Sequence, residues 1–474
     1  MTSTNLGDLL QFRQELDNEI VEIDPKKSTQ RIYTGQQIDL AAQGVASYLV
    51  CNGLHPADRV AIVSSNSIEF IACYLGIMKL GATAVLISAK SSTTQIVSML
   101  QDSGVKFIFT DQQIDINLPM INLNDGLDKI LTTHSFKSYQ PNENDTAVIL
   151  HTSGSTGQPK RVLLTHRARL SILYPNTKIK ILMANPMSHI MGMNCLDMNL
   201  YNKNNLIFLK YFNSATYLKI MDQHKPTQLF GVPSMFSMLL KEKKLLETLD
   251  LSRVQNIILA GGPTNQSLYD ELSQTFKQTK IHIGYGSTEL GPGIFGPHAT
   301  LPTPPLSVGC ECSGASLKLV DGVLQVRKLS MMKGYDDNSH QFTKDGYYIT
   351  NDLFRVDENG FYYFVGRSDD MFKSGGNKIF PSEIEQVVEQ HPSVGKCVVV
   401  PIKDPIKDFK PYAFVTLKSG MSTTTQEIVL FLKNKLARYQ LPRQLWILDT
   451  MPLSSVNKID KQKLKNLAEQ NLNI

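Results

Sequence analysis

Apolar positions in the first part of the chain alternate between helical spacing and short, continuous runs. Residues 37–53 repeat apolar side chains at helical intervals and end at Gly53, a residue favoured just after a helix. The pattern then predicts a buried strand over 59–65, a helix over 67–82 and a strand over 83–88. Strands and helices that alternate with short connections predict an α/β fold with a mostly parallel, doubly wound sheet.

The same alternation continues as far as about residue 300, and further strands are predicted over 105–111, 205–210, 227–232 and 254–262. Beyond a proline-rich stretch, shorter alternating strands occur over 316–328 and 346–366, with Asp-Gly and Asn-Gly turn signals. This second pattern predicts an antiparallel sheet or a small β-barrel that belongs to the same large N-terminal domain.

The C-terminal part of the chain has a separate α+β pattern. A helix is predicted over 381–391, strands over 396–402 and 412–418, and a second helix over 426–437. A polar, glycine-bearing segment precedes this unit. We therefore expect an N-terminal domain over 1–366, a smaller C-terminal domain over 370–474 and a hinge near 367–369.

Composition and charge narrow the classes of partner. The 474 residues are 42% hydrophobic, which is enough for a large core, and the net charge is only +5. This mild excess fits small anionic ligands, and the absence of a dense Lys/Arg block argues against nucleic acid. Of the six cysteines only Cys310 and Cys312 are close, and no second pair stands at metal-ligand spacing. The cysteine pattern therefore indicates a reducing compartment and no structural zinc.

The N-terminal residues and the hydropathy pattern bear on location. Acidic residues occur where a signal peptide would be apolar, and no apolar run approaches the ~20 residues that span a bilayer. We expect a cytoplasmic protein without a transmembrane segment. Peripheral contact with a membrane stays open, as does the choice between a monomer and a homodimer.

One loop between two apolar runs has the composition of an anion-binding site. Residues 150–166 read LHTSGSTGQPKRVLLTH. Two glycines let backbone N–H groups approach a ligand, the hydroxyl groups add donors, and Lys160 adds a positive charge. The best-fitting anion is a polyphosphate, although a flexible turn would have a similar composition. The spacing is not that of a Walker A loop, and no helix is predicted directly after it.

The segment SGSTGQPK at 153–160 resembles the signature loop of the AMP-forming, adenylate-forming superfamily, which includes acyl-CoA synthetases, adenylation domains and firefly luciferase. Further segments match that family in the same order, so that the resemblance covers roughly residues 30–465. These segments are PMSHIMG (186–192), AGGPTNQSL (260–268), GYGSTEL (284–290), the stretch 347–370, KSGGNKIFPSEIE (373–385) and PLSSVNKIDK (452–461).

The resemblance implies a nucleotide site made from several of these segments. Tyr285 would stack on adenine, while Asp352 and Arg367 would contact the ribose. The full set of implied ATP and AMP contacts is Thr152, Ser153, Gly154, Ser155, Thr156, Gly157, Lys160, Gly262, Gly284, Tyr285, Gly286, Asp352 and Arg367.

The resemblance also implies catalytic residues and moving parts. Lys458 would be the catalytic lysine, Thr288 would bind the α-phosphate and Glu289 would hold Mg²⁺. His189 would lie near the acyl and thiol pocket. A mobile C-terminal domain would turn about Asp369 and bring a CoA channel to the site, formed by Lys373, Ser374, Gly375 and Gly376.

The implied activity is that of an AMP-forming acid–thiol ligase that uses ATP, Mg²⁺ and CoA. A fatty or aryl acid is expected, because the segment 186–192 has no acidic residue to pair with an amino acid, and Asp197 is more simply a helix residue. Two alternatives remain open: an enzyme that loads a carrier protein, and a catalytically impaired paralogue that binds ligand. Departures from the family pattern at Arg161, Asn351 and Asn457, where glycine is usual, make the second worth testing.

Overall fold

The computed structural model describes residues 4–11, 18–126, 135–153, 159–175, 179–312, 314–339, 341–418, 420–453 and 459–472. The strands, numbered along the chain, are β1 (Glu19–Asp24), β2 (Thr29–Thr34), β3 (Arg59–Ser64), β4 (Thr83–Ser88), β5 (Phe107–Thr110), β6 (Met120–Asn122), β7 (Thr146–Ser153), β8 (Pro159–Thr165), β9 (Lys180–Met183), β10 (Asn205–Leu209), β11 (Gln228–Gly231), β12 (Asn256–Leu259), β13 (Lys280–Ile283), β14 (Phe295–Gly296), β15 (Cys310–Glu311), β16 (Ala315–Val320), β17 (Val323–Lys328), β18 (Gly334–Tyr335), β19 (Tyr348–Val356), β20 (Tyr362–Arg367), β21 (Phe372–Ser374), β22 (Asn377–Ile379), β23 (Val394–Asp404), β24 (Asp408–Leu417) and β25 (Leu445–Ile447).

The α-helices are α1 (Gly35–Cys51), α2 (Ile68–Leu80), α3 (Thr93–Asp102), α4 (His166–Leu170), α5 (Ile190–Asn202), α6 (Ser214–His224), α7 (Pro233–Leu240), α8 (Lys243–Leu246), α9 (Gln266–Thr275), α10 (Pro381–Val388), α11 (Thr425–Lys433) and α12 (Lys461–Asn471). Short 3₁₀ segments occupy Leu6–Gln11 and Leu123–Asp125. None of the helices in the described part of the chain is long and apolar enough to cross a membrane.

Two seven-stranded sheets form most of the large N-terminal domain. One has the strand order β13-β12-β11-β9-β10-β1-β2, and the other has the order β18-β8-β7-β4-β3-β5-β6. Neighbouring strands are parallel except at β2, β8 and β18, which run antiparallel to their partners. The predicted parallel, doubly wound architecture is confirmed.

Local signals in the sequence explain where the first two helices begin and end. Helix α1 starts two residues before the predicted position, because Thr34 and Gln37 form a capping box at its N-terminus. Helix α2 begins after the N-cap Ser67 and ends at Gly81, whose φ is 82°. Every residue of α2 is buried, since one core cluster packs it together with strands of both seven-stranded sheets. Its nearly continuous apolar sequence follows from this position.

The shorter strands after residue 300 form a separate antiparallel sheet in the order β16-β17-β19-β20. A bridge from Gly309 to Tyr362 and the two-stranded sheet β14-β15 accompany it. Pairing of β16 with β20, which would close a barrel, is not found among the described residues. Of the two predicted alternatives, an antiparallel sheet or a small barrel, the described residues form the antiparallel sheet.

The smaller C-terminal domain is the predicted α+β unit. Its sheet has the order β22-β21-β24-β23, and β25 pairs with β24. Helices α10 and α11 pack on one cluster of buried residues. Helix α12 packs on a second cluster, which is formed by the alternate residues of β23 and β24. The chain's single tryptophan, Trp446, lies here and stacks on Phe414 with ring centroids 4.8 Å apart.

A charged pair lies within the core of the N-terminal domain. The Asp197 carboxylate on α5 is fully buried and lies 2.5 Å from the Arg169 guanidinium on α4. The Tyr74 hydroxyl on α2 donates to the same carboxylate at 3.0 Å. The pair therefore connects three helices, and it holds Asp197 away from solvent.

We expect Asp197→Asn to lower the free energy of unfolding by about 3–5 kcal/mol, because it leaves the buried Arg169 charge without a counter-ion. The measurement is urea unfolding followed by far-UV circular dichroism, since tryptophan fluorescence reports the C-terminal domain. Glu143→Gln breaks a comparable pair with Arg167 at the surface and should change stability by less than about 1 kcal/mol. Equal effects of the two substitutions would contradict the expectation.

Candidate functional site

The predicted phosphate-binding loop joins the antiparallel strands β7 and β8. In their register Lys160 lies opposite Thr152, and Pro159 lies opposite Ser153. The structure thus places both ends of the predicted loop side by side. The described residues stop short of its tip, which holds Gly154, Ser155, Thr156 and Gly157.

The carboxyl ends of three adjacent parallel strands, β11, β12 and β13, lead into the predicted adenine segments. The Gly284 N–H donates to the Leu259 carbonyl at 2.7 Å, and the Ala260 N–H donates to the Gly231 carbonyl at 3.2 Å. The turn containing Gly262 and the segment containing Gly284 therefore lie at one edge of the sheet. Crevices at the carboxyl ends of parallel strands are where α/β sheets bind ligands.

The segment after β13 makes a tight loop that ends with Thr288 and Glu289. A Cβ atom on Gly286 would lie only 2.8 Å from the Gly291 carbonyl oxygen, so the loop requires glycine at that position. The Gly291 N–H donates to the Ser287 carbonyl at 3.0 Å and closes the loop. The Thr288 side chain is buried inside it.

Three residues predicted to bind the nucleoside are in direct contact. The Tyr285 hydroxyl donates to Asp352 Oδ2 at 2.6 Å, and Arg367 Nη1 lies 3.2 Å from Asp352 Oδ1. The Tyr285 ring packs edge-on against Phe354 with centroids 4.9 Å apart. Two separate sheets contribute to this cluster, since Tyr285 follows β13 whereas Asp352 and Arg367 lie on β19 and β20.

The Asp352 carboxyl has an unusual protonation equilibrium. Burial raises its pKa to about 6, although the hydrogen bond from Tyr285 and the charge of Arg367 act in the opposite direction. The group is therefore mostly an acceptor at pH 7 and mostly a donor at pH 5. A ligand that donates hydrogen bonds to it should respond to pH in this range.

Asn351 adopts the left-handed backbone that the usual glycine would provide. Its φ is 60°, and its carbonyl accepts hydrogen bonds from the Ser368 N–H at 2.7 Å and the Ser368 hydroxyl at 3.0 Å. Asparagine enters this region more readily than most residues with a side chain. The departure at position 351 thus preserves the backbone beside Asp352.

The predicted metal ligand, Glu289, lies near the end of the phosphate loop. The Tyr335 hydroxyl donates to Glu289 Oε1 at 3.0 Å, and Lys160 Nζ lies 4.7 Å from the centre of the Tyr335 ring. Strand β18, which carries Tyr335, pairs with β8. The loop lysine and the carboxylate are therefore neighbours of one aromatic ring.

Arg161, the charged residue where glycine is usual, has a defined partner. Its Nε lies 2.8 Å from Asp336 Oδ2, and Arg59 Nη2 lies 2.8 Å from Asp336 Oδ1. The two guanidinium groups lower the pKa of Asp336, chiefly through the hydrogen bond from Arg59. The charge of Arg161 is thus balanced beside the loop.

His189 occupies the N-cap of α5, where its ring accepts a hydrogen bond from the Met191 N–H. The Met191 sulfur lies against the glycine turn, because a Cβ on Gly261 would be 2.3 Å from it. The segment predicted to border the acyl and thiol pocket therefore contacts the turn predicted to pack on adenine. The pocket role of His189 stays a prediction.

Ion pairs surround the predicted hinge. Arg367 contacts Asp369 through two nitrogens, at 2.7 and 2.6 Å, and Lys461 Nζ lies 2.5 Å from Asp370. An isolated β-bridge between Leu453 and Ile459 pairs the two ends of the segment 452–461, which was predicted to carry the catalytic lysine. The residues between them, which include Asn457 and Lys458, lie outside the described part of the chain.

The predicted CoA-channel residues form a tight hairpin between β21 and β22. Gly375 and Gly376 have φ values of 56° and 83°, the left-handed pair that a two-residue hairpin turn requires. Lys373 precedes the turn, and Ser374 is buried. A cleft of about 620 Å³ begins at this hairpin and extends along the hinge, and its basic side chains are Lys373, Lys403, Lys461 and Lys465.

Comparison with known proteins identifies the family. A family model described as AMP-binding enzyme matches residues 12–335, more than half of the chain. The chain belongs to the AMP-binding enzyme family. A second model, the AMP-binding enzyme C-terminal domain, matches residues 383–458.

Curated relatives extend over nearly the whole chain. A long-chain-fatty-acid–CoA ligase of Bacillus subtilis is 26% identical and covers 91% of this chain and 89% of its own length. A 2-succinylbenzoate–CoA ligase of Bacillus mycoides is 28% identical, with 96% of each chain covered. A 4-coumarate–CoA ligase of Nicotiana tabacum is 24% identical, with 92% and 90% covered.

Solved structures agree with this assignment. ATP-bound MatB from Rhodopseudomonas palustris has a TM-score of 0.87 at 22% identity, with 99% of both chains covered. The o-succinylbenzoate CoA synthetase of Bacillus subtilis, solved with its acyl-adenylate intermediate, has a TM-score of 0.82 at 25% identity, with 98% and 99% covered. The predicted fold and the predicted class, AMP-forming acid–thiol ligases that use ATP, Mg²⁺ and CoA, are confirmed at the level of the AMP-binding enzyme family.

The carboxylates at the site are compatible with Mg²⁺ held together with a nucleotide. Within the described residues no group of three or more His, Cys, Asp or Glu side chains could hold a metal by itself. Magnesium in phosphate-binding sites commonly takes one or two carboxylates and completes its shell with phosphate oxygens and water. Glu289, with one oxygen bonded to Tyr335, fits that requirement as a single carboxylate ligand.

Tyr335, Asp336 and Arg59 were not predicted from the sequence. Arg59 and Asp336 are 277 positions apart, so no local spacing connects them. A signal for Tyr335 did exist, because the dipeptide Gly334-Tyr335 follows a short apolar run. Such a dipeptide carries no specific meaning until β18 is known to pair with β8.

The backbone at position 351 gives a direct test of the site's local structure. Asn351→Ala should lower the free energy of unfolding by about 1–2 kcal/mol, because alanine is strained at a φ of 60°. Asn351→Gly, the matched control, should change it by less than about 1 kcal/mol. Urea unfolding followed by circular dichroism measures both. A well-tolerated alanine would show that the left-handed backbone is not required there.

Proposed function

We propose that this chain is an ATP-dependent carboxylic acid–CoA ligase with a fatty or aryl acid as substrate. It would activate the acid as an acyl-adenylate, release pyrophosphate and then transfer the acyl group to the CoA thiol. The observation that carries the proposal is the contact among Tyr285, Asp352 and Arg367. This contact lies at the edge of the sheet that carries the segments predicted to bind adenine, next to the loop that contains Glu289. The names of the curated relatives, all CoA ligases, support the acceptor.

The first half-reaction brings two anions together, since the carboxylate attacks the α-phosphorus of ATP. Negative charge accumulates on phosphate oxygens in the transition state, so fixed positive groups and donors accelerate the step. In this proposal Lys458 supplies the positive charge and Thr288 donates a hydrogen bond. The loop from Thr152 to Lys160 would hold the departing phosphates, and Glu289 would hold Mg²⁺, which would supply further charge neutralisation.

The nucleoside would be held by the cluster described above. The ribose hydroxyl groups would donate to Asp352, with Arg367 as its neighbour, and adenine would lie on Tyr285. Gly262, Gly284 and Gly286 have no side chains, so backbone can approach the base closely. The partly buried hydrogen bond from Tyr285 fixes the Asp352 carboxylate before the ligand arrives.

The second half-reaction needs Lys458 to leave so that a thiol can reach the acyl carbon. We infer that the domain over 370–474 turns relative to the domain over 1–366 at Asp369, as a gating step. The ion pairs at the hinge, Arg367–Asp369 and Lys461–Asp370, are partly exposed. Pairs of this kind contribute little free energy, so they can exchange during rotation. The hairpin Lys373–Gly376 would then border the pantetheine arm.

The acid is proposed to lack an amino group. An amino acid would need a carboxylate in the acyl pocket near His189, and the segment 186–192 contains none. Asp197, the nearest acid along the chain, is committed to Arg169 and Tyr74 in the core. Relatives that bear the names of long-chain fatty, coumarate and succinylbenzoate ligases fit a fatty or aryl acid.

Two departures from the family pattern are accommodated by neighbouring residues, which argues against an impaired paralogue. Arg161 pairs with Asp336, and Asn351 adopts the left-handed backbone. ATP–pyrophosphate exchange over a panel of fatty, aryl, dicarboxylic and amino acids tests the activation step. Exchange with a fatty or aryl acid is expected, and ATP binding without exchange for any acid would overturn the proposal. Thioester formation on adding CoA then separates a CoA ligase from an enzyme that loads a carrier protein.

We expect Lys458→Ala to lower the rate of adenylate formation by at least about 10²–10³-fold, because one electrostatic group at the transition state is lost. Pyrophosphate exchange at saturating ATP measures this. Lys463→Ala removes an exposed lysine from the adjoining helix α12 and should leave the rate within about twofold. Equal rates for Lys458→Ala and wild type would exclude this lysine from the chemistry.

Binding of adenosine should weaken as the pH falls below about 6. The pKa of Asp352 is raised to about 6, so acid converts the ribose acceptor to a donor and lowers affinity by up to about tenfold per pH unit. Calorimetry between pH 5 and 8 measures this, and adenosine is chosen because it has no phosphate to titrate. Asp352→Asn should bind weakly with little pH dependence. A flat wild-type profile would contradict the ribose role.

A further inference from the structure

Tyr335 lies between two groups on which the proposed ATP site depends. Its hydroxyl is 3.0 Å from Glu289 Oε1, and its ring centre is 4.7 Å from Lys160 Nζ. The side chain is buried, with 4% of its surface exposed. The ring is therefore shielded from solvent, while its two partners, Glu289 and Lys160, are partly exposed.

The backbone around Tyr335 is bonded to both parts of the site. The Met332 N–H donates to the Glu289 carbonyl at 2.7 Å, and the Lys333 N–H donates to the Leu163 carbonyl at 2.8 Å. The next residues pair with β8, so that Tyr335 lies opposite Val162. Residues 332–335 thus connect β8, the strand that follows the phosphate loop, with the loop that carries Glu289.

The tyrosine hydroxyl has one proton and three acceptors within reach. Glu289 Oε1 lies at 3.0 Å, the Tyr348 hydroxyl at 3.2 Å and Gln341 Oε1 at 3.3 Å. Tyr348 itself donates to Gln341 at 2.8 Å. Glu289 is the nearest of the three acceptors, and the Tyr348 hydroxyl donates its own proton to Gln341, so the Tyr335 proton goes to Glu289.

The hydrogen bond from the Tyr335 hydroxyl occupies one of the two Glu289 carboxylate oxygens. Glu289 Oε2, by contrast, makes no hydrogen bond to another described residue. One carboxylate oxygen is held in place while the second stays available to a ligand.

We propose that Tyr335 is a positioning residue that orients Glu289 toward Mg²⁺ through its hydroxyl and holds the Lys160 ammonium through its ring. The inference rests on the proposed function, because it requires Glu289 to hold the metal and Lys160 to face phosphate. A partner that orients a metal-binding side chain typically contributes 10–100-fold to metal affinity. A tyrosine that only fills the core would not affect how much Mg²⁺ the protein needs.

The test measures ATP binding by calorimetry at a series of Mg²⁺ concentrations and in EDTA. Tyr335→Phe keeps the ring and removes the hydroxyl. We expect the Mg²⁺ concentration at half-effect to rise about 10-fold, while ATP affinity in EDTA stays within about twofold of wild type. Tyr335→Leu also removes the ring and should weaken ATP binding in EDTA, because Lys160 loses its support.

Tyr347→Phe is a closely matched control. The Tyr347 hydroxyl lies 2.7 Å from that of Ser316, and Lys318 Nζ lies 3.9 Å from its ring centre. Like Tyr335, it has a hydrogen-bonded hydroxyl and a lysine over its ring. It has no described contact with Glu289 or Lys160. This variant should require the same Mg²⁺ concentration as wild type.

A double-mutant cycle with Glu289→Gln distinguishes positioning from a general effect on folding. Once the carboxylate charge is removed, Tyr335→Phe should cause no further change in Mg²⁺ dependence. Additive effects, or a wild-type Mg²⁺ requirement in Tyr335→Phe, would overturn the inference and leave the proposed function intact. If ATP binding by the wild-type protein did not depend on Mg²⁺, both would fail.

Discussion

A site for a polyphosphate must limit repulsion between the ligand and its own carboxylates, and this chain has several carboxylates in its candidate site. Each has donors that fix or neutralise it. Asp352 accepts from Tyr285 and lies beside Arg367, Asp336 is shared by two arginines, and Glu289 accepts from Tyr335. Local pairing of this kind leaves the loop lysine, Lys160, available for phosphate.

Two kinds of sequence information predicted most of the fold and part of the site. Apolar periodicity predicted the parallel sheets, because strands buried on both faces contain continuous apolar runs, as in residues 60–63. Short motifs predicted Tyr285, Asp352 and Arg367, which the structure brings into contact. The predicted tolerance of asparagine for a left-handed backbone also matches the φ at position 351.

What the sequence could not predict depends on pairing between distant segments. Asp336 meets Arg59 and Arg161 only because β18 pairs with β8, and no periodicity encodes that pairing. The choice between an open sheet and a barrel likewise depends on whether two outer strands meet. Asp197 had two possible roles from the sequence alone, and its burial beside Arg169 decides between them.

Because Asp336 is shared by Arg59 and Arg161, substitutions of these three residues should differ in their effects. If glycine replaced Arg161, Asp336 would keep Arg59 as a partner. If the aspartate were lost instead, two partly buried cations would face each other without a counter-ion. Loss of the shared acid is therefore more disruptive than loss of Arg161, because it leaves two like charges beside each other instead of removing one of two partners.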